Sequence, residues 1–311
     1  MKILIPVDET DRHESVLKFI GHLKCPDVEV RFAHVVPPIG MADGSFASLP
    51  YTDEADLLAF QMQQAKERLA SACEHAKHLG FSTSSVVDLG FVGEMIELRA
   101  AEFGADLVAI ASIPKNSVEK IFSGSVALWL VKDCRRDLLI VRSDQPCREA
   151  CSLVFAADHT EASSVCLDRF LSWRWKGICR AEVLYAHRTA GTHTPAGGTH
   201  AKGTESLDDV LKGQVLARTQ QIADRVSRAG IQAHATTIEA PIAEAIRQTM
   251  SATGSDLLVL ASQEHTFWEN LLGKSTTLHE ASTEPYSLLI LRELESKPPF
   301  DLENTKETAG A

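Results

Sequence analysis

The feature that most constrains this chain is that it is written twice. Gly104-Ala-Asp-Leu-Val-Ala-Ile-Ala-Ser112 returns as Gly254-Ser-Asp-Leu-Leu-Val-Leu-Ala-Ser262, 150 positions on. At the same offset Asp8 meets Asp158, Glu94-Met-Ile meets Glu244-Ala-Ile, and Leu138-Leu-Ile-Val-Arg142 meets Leu288-Leu-Ile-Leu-Arg292. Glu29-Val-Arg-Phe-Ala-His34 matches Glu182-Val-Leu-Tyr-Ala-His187 three positions further out, which predicts a small insertion before that strand in the second half. Many independent matches at one offset read as a duplication. They predict units at residues 1–145 and 150–294, with a polar tail over 295–311 that reads as disordered. The length of 311 residues agrees with roughly 150 residues per domain.

Each unit alternates short apolar runs with amphipathic segments. In the first, strands are expected at Ile3–Val7, Val28–Val36, Thr83–Leu89, Leu107–Ala111 and Leu138–Val141. Helices are expected at Ser15–Leu23, Asp53–Leu79, Val92–Phe103 and Ser125–Lys132, with Gly104 as a helix C-cap. Strand–helix alternation with buried apolar strands implies an α/β fold. Two tandem, doubly wound, Rossmann-like domains are expected, each a five-stranded parallel sheet with helices on both faces. Residues 37–52 and 188–205 read as long loops, the second rich in Gly, Thr and His.

Charge narrows the function classes. The formal net charge is −11, which repels a polyphosphate backbone and an anionic membrane surface, so neither nucleic acid nor membrane is an expected partner. No apolar run reaches the 18 or so residues of a membrane span, and Asp8 breaks the first apolar stretch early, so a cytoplasmic location is expected. The seven cysteines are odd in number and scattered, which favours reduced structural thiols.

Ligands of open α/β sheets bind beyond the carboxyl ends of the strands, where the strand order reverses. The residues at those ends are Asp8 and Asp158, His34 and Val35, His187 and Arg188, and Ser112 and Ser262. The helix after the fourth strand opens with Gly124-Ser125-Val126, and in the second unit with Gly273-Lys274-Ser275-Thr276. Helix N-termini present unpaired N–H groups that suit anions. The two aspartates also suit plain helix capping.

With these residues in hand, both units resemble universal stress protein domains, and the whole resembles a tandem-domain member of that family. The resemblance rests on four features: the aspartate ending the first strand, Ala-His near the end of the second, Gly-x-Asp-Leu-[Val/Leu]-x-[Ile/Leu]-x-Ser, and the final strand. It implies a stress-response protein that is not an enzyme and requires no cofactor, with an adenine nucleotide (ATP or AMP) as candidate ligand. The implied nucleotide contacts are Asp8, Val35, Ser112, Gly124, Ser125, Val126, Asp158, Arg188, Ser262, Gly273, Lys274, Ser275 and Thr276. Nucleotide-binding members carry G-x2-G-x9-G-[ST] after the fourth strand. Here those positions hold Ala111, Pro114, Gly124 and Ser125, then Ala261, Glu264, Lys274 and Ser275. Pro114 offers no N–H, Glu264 brings negative charge toward phosphate, and Lys274 puts a side chain where backbone must approach. Weakened phosphate holding is therefore expected in both halves. The family's dimer contact through its last strand implies an intramolecular pseudo-dimer here, with a homodimer of the whole chain as a further partner arrangement. A weak ATPase or nucleotide-dependent enzyme, and a binder of another small molecule or lipid, stand as alternatives.

Three other motifs weigh little. Gly273-Lys274-Ser275 lacks the glycine that a P-loop needs five residues earlier, where Trp268 stands. His187, His193 and His200 have no metal-ligand spacing, and no metal site is expected. Trp173 and Trp175 cannot share one helical face, which predicts one packed and the other near the surface or an interface.

Overall fold

The computed structural model describes residues 1–38, 54–112, 125–142, 150–187, 207–261 and 286–293. The first half runs β1 (Lys2–Pro6), α1 (His13–Leu23), β2 (Glu29–Val36), α2 (Glu54–His78), β3 (Ser82–Leu89), α3 (Val92–Phe103), β4 (Leu107–Ser112), α4 (Ser125–Asp133) and β5 (Asp137–Arg142). The second runs β6 (Cys151–Ala156), α5 (Glu161–Ser172), β7 (Ile178–His187), α6 (Leu207–Arg228), β8 (Gln232–Glu239), α7 (Ile242–Thr253), β9 (Leu257–Ala261) and β10 (Ser287–Leu291). The two loop segments and the tail expected from sequence fall largely or wholly outside the described residues.

All ten strands form one sheet in the order β3-β2-β1-β4-β5-β10-β9-β6-β7-β8. Pairing is parallel within each half, and β5 meets β10 antiparallel, Leu139 opposite Leu289. Each half contributes five of these strands, and the last strand of each joins the two sets into one sheet. Successive side chains of a strand point to opposite faces, and the core divides accordingly. On one face Leu139, Val141, Leu289 and Leu291 pack with the stripes of α1, α2, α5 and α6. On the other, Leu138, Ile140 and Ile290 pack with α3, α4 and α7. Helix α1 shows the cause: Val16, Leu17, Ile20 and Leu23 recur at helical spacing and all are buried.

The repeated Gly-x-Asp motif has a structural explanation. Gly104 and Gly254 end α3 and α7 in the left-handed conformation, φ 63° and 59°, where a Cβ is costly. Two residues on, the Asp106 carboxylate accepts the Lys2 amide at 2.7 Å, and its own amide donates to the Lys2 carbonyl at 2.9 Å. Asp256 does the same with Ser152 at 2.9 and 2.8 Å. Each aspartate thus pins the start of the fourth strand of its half to the start of the first.

The seam between halves carries a buried charge. Asp137 is fully buried and accepts Arg169 Nε at 2.8 Å, Arg169 Nη2 at 2.7 Å and the Arg292 amide at 2.7 Å. Burial pushes the Asp137 carboxyl up from its ordinary range, while Arg169 and Arg292 pull it back down. At the other end of the seam the Arg142 amide donates to Ser287 Oγ at 3.2 Å. Beside the seam the loops after α1 and α5 touch: the Gly177 amide donates to the Leu23 carbonyl at 2.9 Å, and Cys25 Sγ to the Trp173 carbonyl at 2.9 Å. The tryptophans lie at this contact between the halves. Trp173 ends α5 and Trp175 lies beyond it, so no shared helical face is needed. Both are buried, edge to face at 5.3 Å.

Candidate functional site

In each half the strand order reverses between the first and fourth strands, β1 and β4 or β6 and β9. A crevice opens at such a reversal, beyond the carboxyl ends. Asp8 follows β1 and Ser112 ends β4, the two strands that flank the reversal in the first half. Asp158 follows β6 in the second.

The two aspartates take the same posture. Asp8 Oδ1 accepts the Thr10 amide at 2.9 Å and also the Thr10 hydroxyl. Asp158 Oδ1 accepts the Thr160 amide at 3.0 Å and the Thr160 hydroxyl at 2.7 Å. Both side chains are exposed, and each Oδ2 is without a hydrogen-bond partner among the described residues. Neither caps a helix, contrary to the capping expectation. The residue at the head of α1 is Arg12, which makes no side-chain cap, and that of α5 is Thr160, whose Oγ1 accepts the Ser163 amide at 3.1 Å. A carboxylate bonds its own chain two residues on in a tight turn, and here that turn sets its direction.

His34 is half-buried, and its Nδ1–H donates to the Val7 carbonyl at 2.7 Å. That bond closes the end of β2 onto the residue before Asp8. Burial lowers the His34 pKa from its ordinary value, against the Val7 bond, which raises it, and Arg68 adds to the lowering. Val35 is buried on the opposite face of the sheet. Ser112 is buried at the end of β4. Val126 lies in the first turn of α4, packed against the core.

Strand pairing corrects one correspondence between the halves. Val35 pairs with Asp88, and Ala186 with Ile238, the residue at the place of Asp88 in the repeat. Ala186, not Arg188, therefore stands at the place of Val35, and Tyr185 at the place of His34. The cause is a bulge between Cys151 and Ser152 and a ten-residue β7 against an eight-residue β2. The Ala-His match had slipped two residues along the strand, which keeps every side chain on its proper face and so leaves no trace in the apolar pattern.

What stands there differs between the halves. His159, the residue after Asp158, has φ 61° and lies on the Tyr185 ring at 4.0 Å with 9° between planes. Thr219 of α6 is fully buried and donates to the Val215 carbonyl at 2.9 Å, so its oxygen accepts His159 Nε2–H at 3.0 Å. Burial and Arg218 lower the His159 pKa, against Asp158. His187 is nearly parallel to Tyr185 at 6.1 Å, and both its ring nitrogens are buried with no hydrogen-bond partner among the described residues. The sequence signal for this stack was the change from Glu9 and His34 to His159 and Tyr185, hidden by the slipped match. In the first half Arg99 of α3 forks onto the buried Asp88 carboxylate, Nε to Oδ2 at 2.8 Å. The second half has Ile238 and Thr249 at those places.

Gly124, Arg188, Ser262, Gly273, Lys274, Ser275 and Thr276 lie outside the described residues, as do Pro114 and Glu264. Ser125 opens α4 with its side chain outside them. Among the described residues no cluster of His, Cys, Asp or Glu is arranged to hold a metal, and no helix is long and apolar enough to cross a membrane. None of the six described cysteines forms a disulfide.

Residues 1–142 match the model of the Universal stress protein family. Among solved structures, a universal stress protein from Archaeoglobus fulgidus DSM 4304 is similar at 14% identity, over 95% of this chain and 97% of that one, with a TM-score of 0.68. A functionally unknown protein from Pseudomonas aeruginosa PAO1 is similar at 13% identity over 94% and 92%, with a TM-score of 0.53. At these identities the likeness is one of fold. No match is found among curated proteins.

Proposed function

We propose, from the match of residues 1–142 to the Universal stress protein family, that the chain is a non-catalytic stress-response protein whose strand-end crevice holds an adenine nucleotide. Two units, residues 1–145 and 150–294, make up the molecule in this reading. The observation that carries it is the posture of Asp8. Its carboxylate stands exposed beside the β1–β4 reversal, with Oδ1 tied to Thr10 and Oδ2 without a hydrogen-bond partner among the described residues. A fixed carboxylate acceptor suits the amine and hydroxyl donors of a nucleoside, and it repels phosphate. The phosphates would therefore lie toward Ser112 and the head of α4. The altered glycine positions make that hold weak, so the nucleoside part supplies most of the affinity.

Mass spectrometry of small molecules released from native purified protein is the test. An adenine nucleotide is expected, and Asp8→Ala should weaken ATP binding by about 10-fold or more, the loss of a hydrogen bond to a charged group. ATP turnover abolished by Asp8→Ala would make the protein an enzyme instead. A lipid or another metabolite in place of the nucleotide would overturn the ligand.

A further inference from the structure

The two crevices are not equivalent. We infer that the second is closed by its own side chains, so that the chain takes one nucleotide, in its first half. This rests on the reading that the strand-end crevice is the ligand site.

A flat ligand ring resting on an aromatic side chain lies parallel to it, with centroids about 4–5 Å apart. In the second half His159 already holds that place, parallel to Tyr185 at 4.0 Å. It is held from three directions. Thr219 takes its Nε2–H, Tyr185 covers its face, and the left-handed backbone at φ 61° aims the side chain inward. Residues other than glycine seldom adopt that conformation, and the surrounding contacts must sustain it. Thr219 is itself fully buried, with its hydroxyl proton committed to the Val215 carbonyl, so its oxygen stays aimed at His159.

The first half lacks the stack, although its β1–α1 connection also holds a left-handed residue, Asp11 at φ 53°. The residue after Asp8 is Glu9, which is exposed. The counterpart of Tyr185 is His34, drawn down onto the Val7 carbonyl, and no ring stacks on it among the described residues. The counterpart of Thr219 is Leu69, which offers no acceptor. The connection from β1 to α1 is also two residues longer than that from β6 to α5, and it has no hydroxyl cap at its helix. Register, ring stack and loop length all separate the halves in the same direction.

Calorimetric titration of the full chain with ATP and Mg2+ tests this by stoichiometry. The natural protein should bind one ATP per chain; Asp8→Ala should weaken that site by about 10-fold or more, and Asp158→Ala should leave it unchanged. His159→Gly, which keeps the left-handed backbone at ease, should raise the count to two. Tyr185→Leu removes the other ring of the stack and should do the same, should the glycine variant not fold. Two ATP per natural chain, a single site lost with Asp158→Ala, or one site persisting in both folded variants would each overturn the closure while leaving the nucleotide reading intact. Binding by none of these proteins would overturn both.

Discussion

Asp137 shows what a single side chain does at the seam. A carboxylate with no exposure is costly unless its oxygens are occupied, and here the Arg169 fork and the Arg292 amide occupy them. Removing one partner of such a pair strands the other. Asp137→Ala should therefore lower stability by about 3–5 kcal/mol, read as a fall in the urea midpoint with little change in slope. The double change Asp137→Leu with Arg169→Leu should recover much of that loss, and an equally large loss in the double variant would contradict the stranded-charge account. Three imidazoles give the protein a pH response of definite sign. Burial lowers the pKa of His13, His34 and His159 below 6.5. The unfolded chain then takes up protons that the folded chain refuses. Stability is complete above pH 6.5 and declines as pH falls through that value. Urea midpoints at pH 7.5 and 5.5 should differ in that direction. Equal midpoints would contradict it.

At the scale of elements, glycines distinguish contact from conformation. A Cβ at Gly177 would overlap the His22 backbone carbonyl, so Gly177→Ala must push apart the loops that join the halves. Gly213, inside α6, has nothing within 4 Å of such a Cβ, and Gly213→Ala should stabilise by about 0.5–1 kcal/mol. Thermal melting of the two variants should move in opposite directions. The same contrast explains what was legible in the sequence. Helix α3 and its cap were readable to the residue, because an apolar stripe followed by Gly104 leaves few other solutions. The strand ends bearing Asp8, Ser112 and Asp158 were readable because buried parallel strands are short and bounded. The register of β7 was not, since a two-residue slip preserves alternation. Nor was the partnership of Asp137 with Arg169, which joins positions in different halves with no local signature. Trp173 and Trp175 were legible only in part: the helix stops between them, and packing beyond its end decides their burial.

The whole molecule is organised around β5 and β10. Every residue of β5 is buried, Asp137-Leu-Leu-Ile-Val-Arg142, with β4 on one side and β10 on the other. A strand so apolar cannot stand at the edge of a sheet without inviting another strand to pair with it. The second half supplies that partner within the chain, so the seam forms at an effective concentration that no separate molecule could match. Residues 1–145 produced alone would lose it and expose the β5 edge. The expected outcome is a homodimer in which two copies of β5 pair antiparallel, eluting at twice the mass of the fragment at micromolar concentration. Ile140→Pro would remove an amide from that edge and put a rigid ring in its place. It should shift the fragment toward monomer or insolubility. The full chain should elute without such a β5-dependent dimer, because its own β10 already covers the edge. A fragment that stays monomeric with its helices intact would show that the seam holds the halves in place without being required by either. It would assign the joining instead to the α1–α5 loop contact at Gly177 and to the Asp137 cluster.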